Sequence, residues 1–239
     1  MKTVLSILGS ALIGVASHAA PPPYTLEFPE TQPFAWSENG KFSGMAIKVV
    51  SMLFEKAKIP FAFQSAPLAR GMEDARTREY FCVFPVQRAQ SNEAEYQWVS
   101  PIFITTSGLF VPPNSSAQFM VLSDAKKLRI GALRGSGDAQ YLKSFGFTVE
   151  EVNTQEQNVE KLLRSHIDAW ATDVLSAHYF AQKTSTKDRM PKEALTFRRS
   201  LGSLACHVKT PAADVAKLQS TLDAMIKDGS LEKLTTQAP

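Results

Sequence analysis

Several side chains are of types, and at positions, that could act on a small molecule. Arg88 follows the apolar run Phe81-Cys82-Val83-Phe84, which reads as a short buried strand. A guanidinium just past a strand end can hold a carboxylate through two parallel hydrogen bonds, or simply sit in a solvated loop. Arg70, in Pro67-Leu68-Ala69-Arg70, stands after another strand and offers the same chemistry. Gly135-Ser136-Gly137 follows a strand and opens a helix. Free N–H groups there bind anions; the plain alternative is a tight turn with Ser136 as cap. Asp173 ends a further strand, where a carboxylate pairs with an ammonium, caps the next helix, or does both. Phe34 and Trp36 lie in a loop and cover either a ligand or a neighbouring core.

Other chemistry is poorly supplied. Ser136 lacks the leading glycine of a nucleophile elbow, and His166, His178 and His207 have no evident orienting partner. Neither His-Glu-x-x-His nor a P-loop occurs. The two cysteines, Cys82 and Cys206, have only His207 nearby, and adjacent residues on a strand point to opposite faces. No metal site and no cofactor are expected. The formal net charge is +3, and about +2 without Lys2. That is too little for a nucleic-acid footprint.

The elements that must position these residues follow in order. Met1-Lys2, the apolar run from Val4 to Val15 and Ser17-His18-Ala19 read as a signal peptide over residues 1–19. The apolar run is shorter than the roughly 20 residues of a membrane span, and no Cys near the cleavage point could take a lipid. An exported, periplasmic protein is expected. Strand patterns cover 24–28, 61–65 and 81–85, with helices over 45–58 and from Arg70, and a loop over 29–44. Residues 101–113 are extended. A second series has strands at 129–133, 147–152 and 167–172, and helices at 138–145, 154–165 and 175–182. Residues 184–192 read as an exposed loop and 203–208 as a strand. Thr210 reads as the cap and Pro211 as the first residue of a last helix, whose apolar face is Val215, Leu218, Leu222, Met225 and Ile226. Strand-helix alternation argues α/β architecture with parallel sheets.

The order and spacing of several segments resemble the type II periplasmic solute-binding proteins, in particular the amino-acid-binding family of ABC transporters (extracellular solute-binding protein family 3). The carriers are Gln32-Pro33-Phe34-Ala35-Trp36, Gly40 to Leu53, Arg88 to Pro101 ending in Trp98-Val99-Ser100-Pro101, Leu128 to Ser136, Ile167 to Asp173, and Lys227-Asp228-Gly229-Ser230-Leu231. The resemblance implies two lobes joined by two crossings: lobe one at 20–105 and 205–239, lobe two at 106–204. It implies a monomer that closes on a small-molecule ligand for a membrane permease or sensor. Phe34 would be a lid, Ser136 and the Gly137 N–H would meet a carboxylate, and Asp173 would meet an amino group. The family's carboxylate-clamping Arg falls at Asn92 here, and the Thr three residues before it at Ala89. Arg88 or Arg70 would have to replace it, or the ligand is not a standard amino acid. The expected ligand set is therefore Phe34, Trp36, Arg70, Arg88, Asn92, Ser136, Gly137 and Asp173. The same fold would put Cys82 beside Cys206, as a disulfide or as two buried thiols. An enzyme on this scaffold, similar to cyclohexadienyl dehydratase, is the alternative, as is a sensory domain without transport.

Overall fold

The structure is a computed structural model that describes residues 21–88, 90, 92–184 and 189–236. The signal peptide assigned to residues 1–19, Ala89 and part of the 184–192 loop lie outside them. Strand β1 (Tyr24–Phe28) is followed by a hairpin, β2 (Trp36–Glu38) and β3 (Lys41–Ser43). Helix α1 (Met45–Ala57), β4 (Phe61–Ser65), α2 (Leu68–Thr77) and β5 (Phe81–Val86) complete the first series. The long strand β6 (Tyr96–Val111) leads into β7 (Ile130–Leu133), α3 (Gly137–Ser144), β8 (Val149–Val152), α4 (Gln155–Leu163), β9 (Ala169–Asp173) and α5 (Val174–Thr184). The chain returns along β10 (Lys192–His207) and ends in α6 (Ala212–Lys227) and α7 (Ser230–Thr236).

One eight-stranded sheet runs β4-β1-β5-β10-β6-β9-β7-β8. At one end β4, β1 and β5 are parallel; at the other, β8, β7 and β9 are parallel. Each trio has the first strand of its series in the middle, the order that opens a crevice at the strands' carboxyl ends. Between the trios, β6 and β10 form a long antiparallel pair, Tyr96 facing His207 at one end and Val111 facing Lys192 at the other. These two strands are the crossings of a two-lobed α/β fold.

The cores follow the same division. Leu26, Phe28, Phe54 and Phe84 are buried with Leu218 and Leu222 of α6, so the returning helix packs on the first trio. Beside the second trio the pleat of β6 alternates: Leu109 joins Ile130 and Leu142 in one cluster, while Phe110 joins Leu162 and Trp170 in another. Each such side chain contributes about 1.5–3 kcal/mol of apolar burial. Cys82 and Cys206, paired in register on β5 and β10, are disulfide-bonded. The bond ties the returning crossing to the first trio.

Three local expectations need correction. The 29–44 loop contains the β2–β3 hairpin, because Asn39 and Gly40 both take positive φ (51° and 75°) and so form the tight turn that suits paired strands. The strand expected over 203–208 begins at Lys192. Its first half has only three apolar residues, Ala194, Leu195 and Phe197, and is held by them on the second core and by the backbone ladder to β6. Pro211, not Thr210, stands at the N-cap position of α6, without a side-chain cap bond, and Ile226 is 48% exposed rather than on its apolar face. Among the described residues no helix is long and apolar enough to cross a membrane.

Candidate functional site

A cavity of about 270 Å³ lies where β6 and β10 pass between the lobes. Gln32, Phe34 and the β5 end (Pro85, Val86) line it from one side. Leu133, Ser136, Gly137 and Asp138, at the β7–α3 junction, line it from the other with Ala171, Thr172 and Asp173 at the β9 end. Phe103, Thr105 and Ser107 of β6 and Arg198, Ser200 and Gly202 of β10 contribute from the crossings. The cavity thus collects strand ends from both parallel trios, as the crevice rule requires.

Asp173 closes β9 and accepts a hydrogen bond from the Ser176 N–H at 2.8 Å, which caps α5. Burial raises its carboxyl to about 6; bonds from Ser176 oppose the shift and the nearby Asp138 charge adds to it. Ser136 caps α3 by accepting from the Ala139 N–H at 3.2 Å. Asp138, in the first turn of α3, is also pushed upward, by burial above all, while a Ser107 hydrogen bond and the Arg198 charge pull it back. Gln155 stands on a fixed network: its oxygen accepts from Trp170 Nε1 at 3.0 Å and its amide donates to Thr172 Oγ1 at 2.9 Å.

Arg198 is the one cationic side chain lining the cavity among the described residues. It donates to the Gly137 carbonyl at 2.7 Å and to Ser200 Oγ at 2.8 and 2.7 Å, and lies 3.9 Å from Asp138. Its approach is close at Gly137, where a Cβ would come within 2.9 Å of the guanidinium and push it aside. A similar constraint shapes the aromatic wall. A Cβ at Gly202 would come within 2.5 Å of the Phe103 ring, and Phe103 stacks on Phe34 with centroids 5.6 Å apart.

Of the residues singled out in the sequence, Phe34, Ser136, Gly137 and Asp173 come together here. Trp36 lies at a neighbouring mouth, its ring 6.1 Å from Tyr179 of the other lobe. Arg70, Arg88 and Asn92 do not line the cavity. Arg70 points out from α2 and pairs with Asp74. Arg88 pairs with Glu93 and lies over the Trp98 ring. Asn92 donates to the Gln87 carbonyl at 3.1 Å. Sequence reasoning passed over Arg198, Asp138, Ser107 and Gln155. The signal for Arg198 was its place two and four residues before Ser200 and Gly202, on one face of a strand. Among the described residues no cluster of His, Cys, Asp and Glu could hold a metal ion.

No family model matches the chain. It is 21% identical over 213 residues to the probable amino-acid-binding protein YxeM of Bacillus subtilis (strain 168), covering 86% of this chain and 79% of that one. Among solved structures it superposes on an ancestral cationic amino acid solute-binding protein (AncCDT-1) with a TM-score of 0.75, at 15% identity, over 90% of this chain and 95% of that one. A second structure of that ancestor, described as a precursor of cyclohexadienyl dehydratase, gives 0.69 at 15% identity over 90% and 94%. A histidine kinase sensor domain with similarity to periplasmic binding proteins gives 0.71 at 13% identity over 90% and 95%. The resemblance read from the residues recurs in these comparisons, and the chain has the two-lobed fold of the type II periplasmic binding proteins.

Proposed function

We propose that the chain is an exported solute-binding protein whose lobes close on a small polar ligand, amino acid or related molecule, and pass it to an ABC-type permease. In this reading residues 20–105 and 205–239 form one lobe, residues 106–204 the other, and the protein acts in the periplasm as a monomer. The observation that carries it is the cavity between the lobes, lined from both by hydroxyls and amides and, among the described residues, by the carboxylates of Asp138 and Asp173 and the guanidinium of Arg198. Ligand contacts fall to Phe34, Ser136, Gly137 and Asp173, with Asp138, Gln155 and Arg198 added. Closure draws on the ligand's better fit to the closed state, and Trp36 against Tyr179 is a contact that opening would break. The test is a thermal-shift screen of the mature protein with amino acids, amines, small carboxylates and phenolic acids. A ligand well above its dissociation constant should raise the melting temperature and be recovered unchanged. Absence of any shift across the panel would count against the reading.

One observation favours a second reading, an enzyme on this scaffold. Asp138 and Asp173 share the cavity and both carboxyls are raised by burial, as a general acid or base would be. Conversion of a stabilising ligand on prolonged incubation, abolished in Asp173→Asn, would establish it.

A further inference from the structure

The charges inside the cavity narrow the ligand class, and the inference rests on the solute-binding reading. We infer that the cavity selects a small organic amine that carries no α-carboxylate. The one cation lining it among the described residues, Arg198, is already engaged: its N–H groups go to the Gly137 carbonyl and Ser200 Oγ, and Asp138 lies 3.9 Å away. The other place for a carboxylate, the amide end of α3, has Asp138 in its first turn and Ser136 Oγ on the Ala139 N–H. An incoming α-carboxylate would therefore meet a resident carboxylate at both anion-friendly positions, and like charges at close range are costly in a sheltered site.

Asp173 is the opposite case. It accepts from Ser176, but no Lys, Arg or His lies within ion-pair range of it among the described residues. With Asp138 matched to Arg198, the cavity holds one unmatched negative charge. An ammonium answers that charge, and ammonium-carboxylate hydrogen bonds are the strong kind. The remaining surface suits the body of such a molecule. The stacked Phe34 and Phe103 rings, with Leu133 and Val86, give it an apolar wall, and Gln155 and Thr105 give it neutral polar contacts.

Matched pairs differing only in the α-carboxylate make the test: phenethylamine with phenylalanine, tyramine with tyrosine, histamine with histidine. Each is titrated into the full mature chain by calorimetry, with melting curves alongside. In at least one pair the amine should bind tenfold or more tightly than its amino acid. Asp173→Asn should lower that affinity at least tenfold. Asp138→Asn releases Arg198 from its internal partner and should narrow or invert the preference. Amino acids binding as tightly as their amines would overturn the inference and leave the solute-binding reading intact. Silence from every pair alongside a shift by a solute without an amine would overturn it in the same way, and silence from all solutes would overturn both. Should either variant fail to fold, the wild-type pair comparison decides alone.

Discussion

Arg88 and Arg198 are the same side chain in two settings, and the contrast shows what makes an arginine available to a ligand. Arg88 stands just past β5, where sequence logic places a clamp, yet its side chain is 44% exposed and spent on Glu93. Arg198 lies mid-strand in the polar half of β10 and is 17% exposed. Its neighbour Arg199 faces solvent, because successive residues on a strand alternate. The crossing strand lines the cleft along Arg198, Ser200 and Gly202, whereas after β5 only Gln87 reaches it and Arg88 is drawn to Glu93. Position on the crossing, not proximity to a strand end, put the charge in the cavity.

The contrast can be broken or sharpened experimentally. The largest effect is expected from Arg198→Ala, which leaves Asp138 buried without its cation and removes a donor from the Gly137 carbonyl. Urea denaturation should show a loss of about 3 kcal/mol, near the low end for breaking a buried pair because the contact is long. Asp173→Asn comes next. It should weaken ligand binding by about 1.5–3 kcal/mol, the range for hydrogen bonds to a charged group. Asn still caps α5, so the helix persists.

The same residue sets a pH dependence. Its folded value of about 6 lies above the ordinary 3.8, so the folded state binds the proton more readily than the unfolded chain. The destabilisation from its buried charge is fully present above pH 6 and is relieved as pH falls toward 4. The unliganded protein should gain stability from this group over that window, and Asp173→Asn should flatten the slope. Amine affinity should run the other way, falling about tenfold per pH unit below 6 as the carboxylate is lost. A smaller effect, about 1 kcal/mol in ligand affinity, is expected from Gly137→Ala, since the flexible guanidinium can shift from the new Cβ. The smallest are Arg88→Ala and Arg70→Ala. Exposed ion pairs contribute about 0–1 kcal/mol, and ligand affinity should not move.

What could be read from the sequence divides along the same line. The trios were legible because their strands are short apolar runs bounded by turn formers, as at Phe61–Ser65, and α1 because its apolar residues recur at helical spacing. Ser136 and Asp173 were legible because a cap residue after a strand is a local signal. Arg198 was hidden because Lys192 to Ser200 has only Ala194, Leu195 and Phe197 as apolar residues, too few to mark a strand, which exists through pairing with β6, a partner some ninety residues away in the chain. The β2–β3 hairpin was missed although Asn39-Gly40 announced it, because its strands are short and largely polar. Neither the β6–β10 pairing nor the charge balance of the cavity is a local property, so neither could be read from local pattern.

The most direct test of the account is a calorimetric titration of the best thermal-shift ligand into the wild-type chain and Asp173→Asn. The account predicts one site per chain, a negative heat-capacity change from burying the ligand between the lobes, and affinity at least tenfold lower in the variant. Equal affinity in the two proteins would contradict it, because the ligand would then draw nothing from the carboxylate at the β9 end.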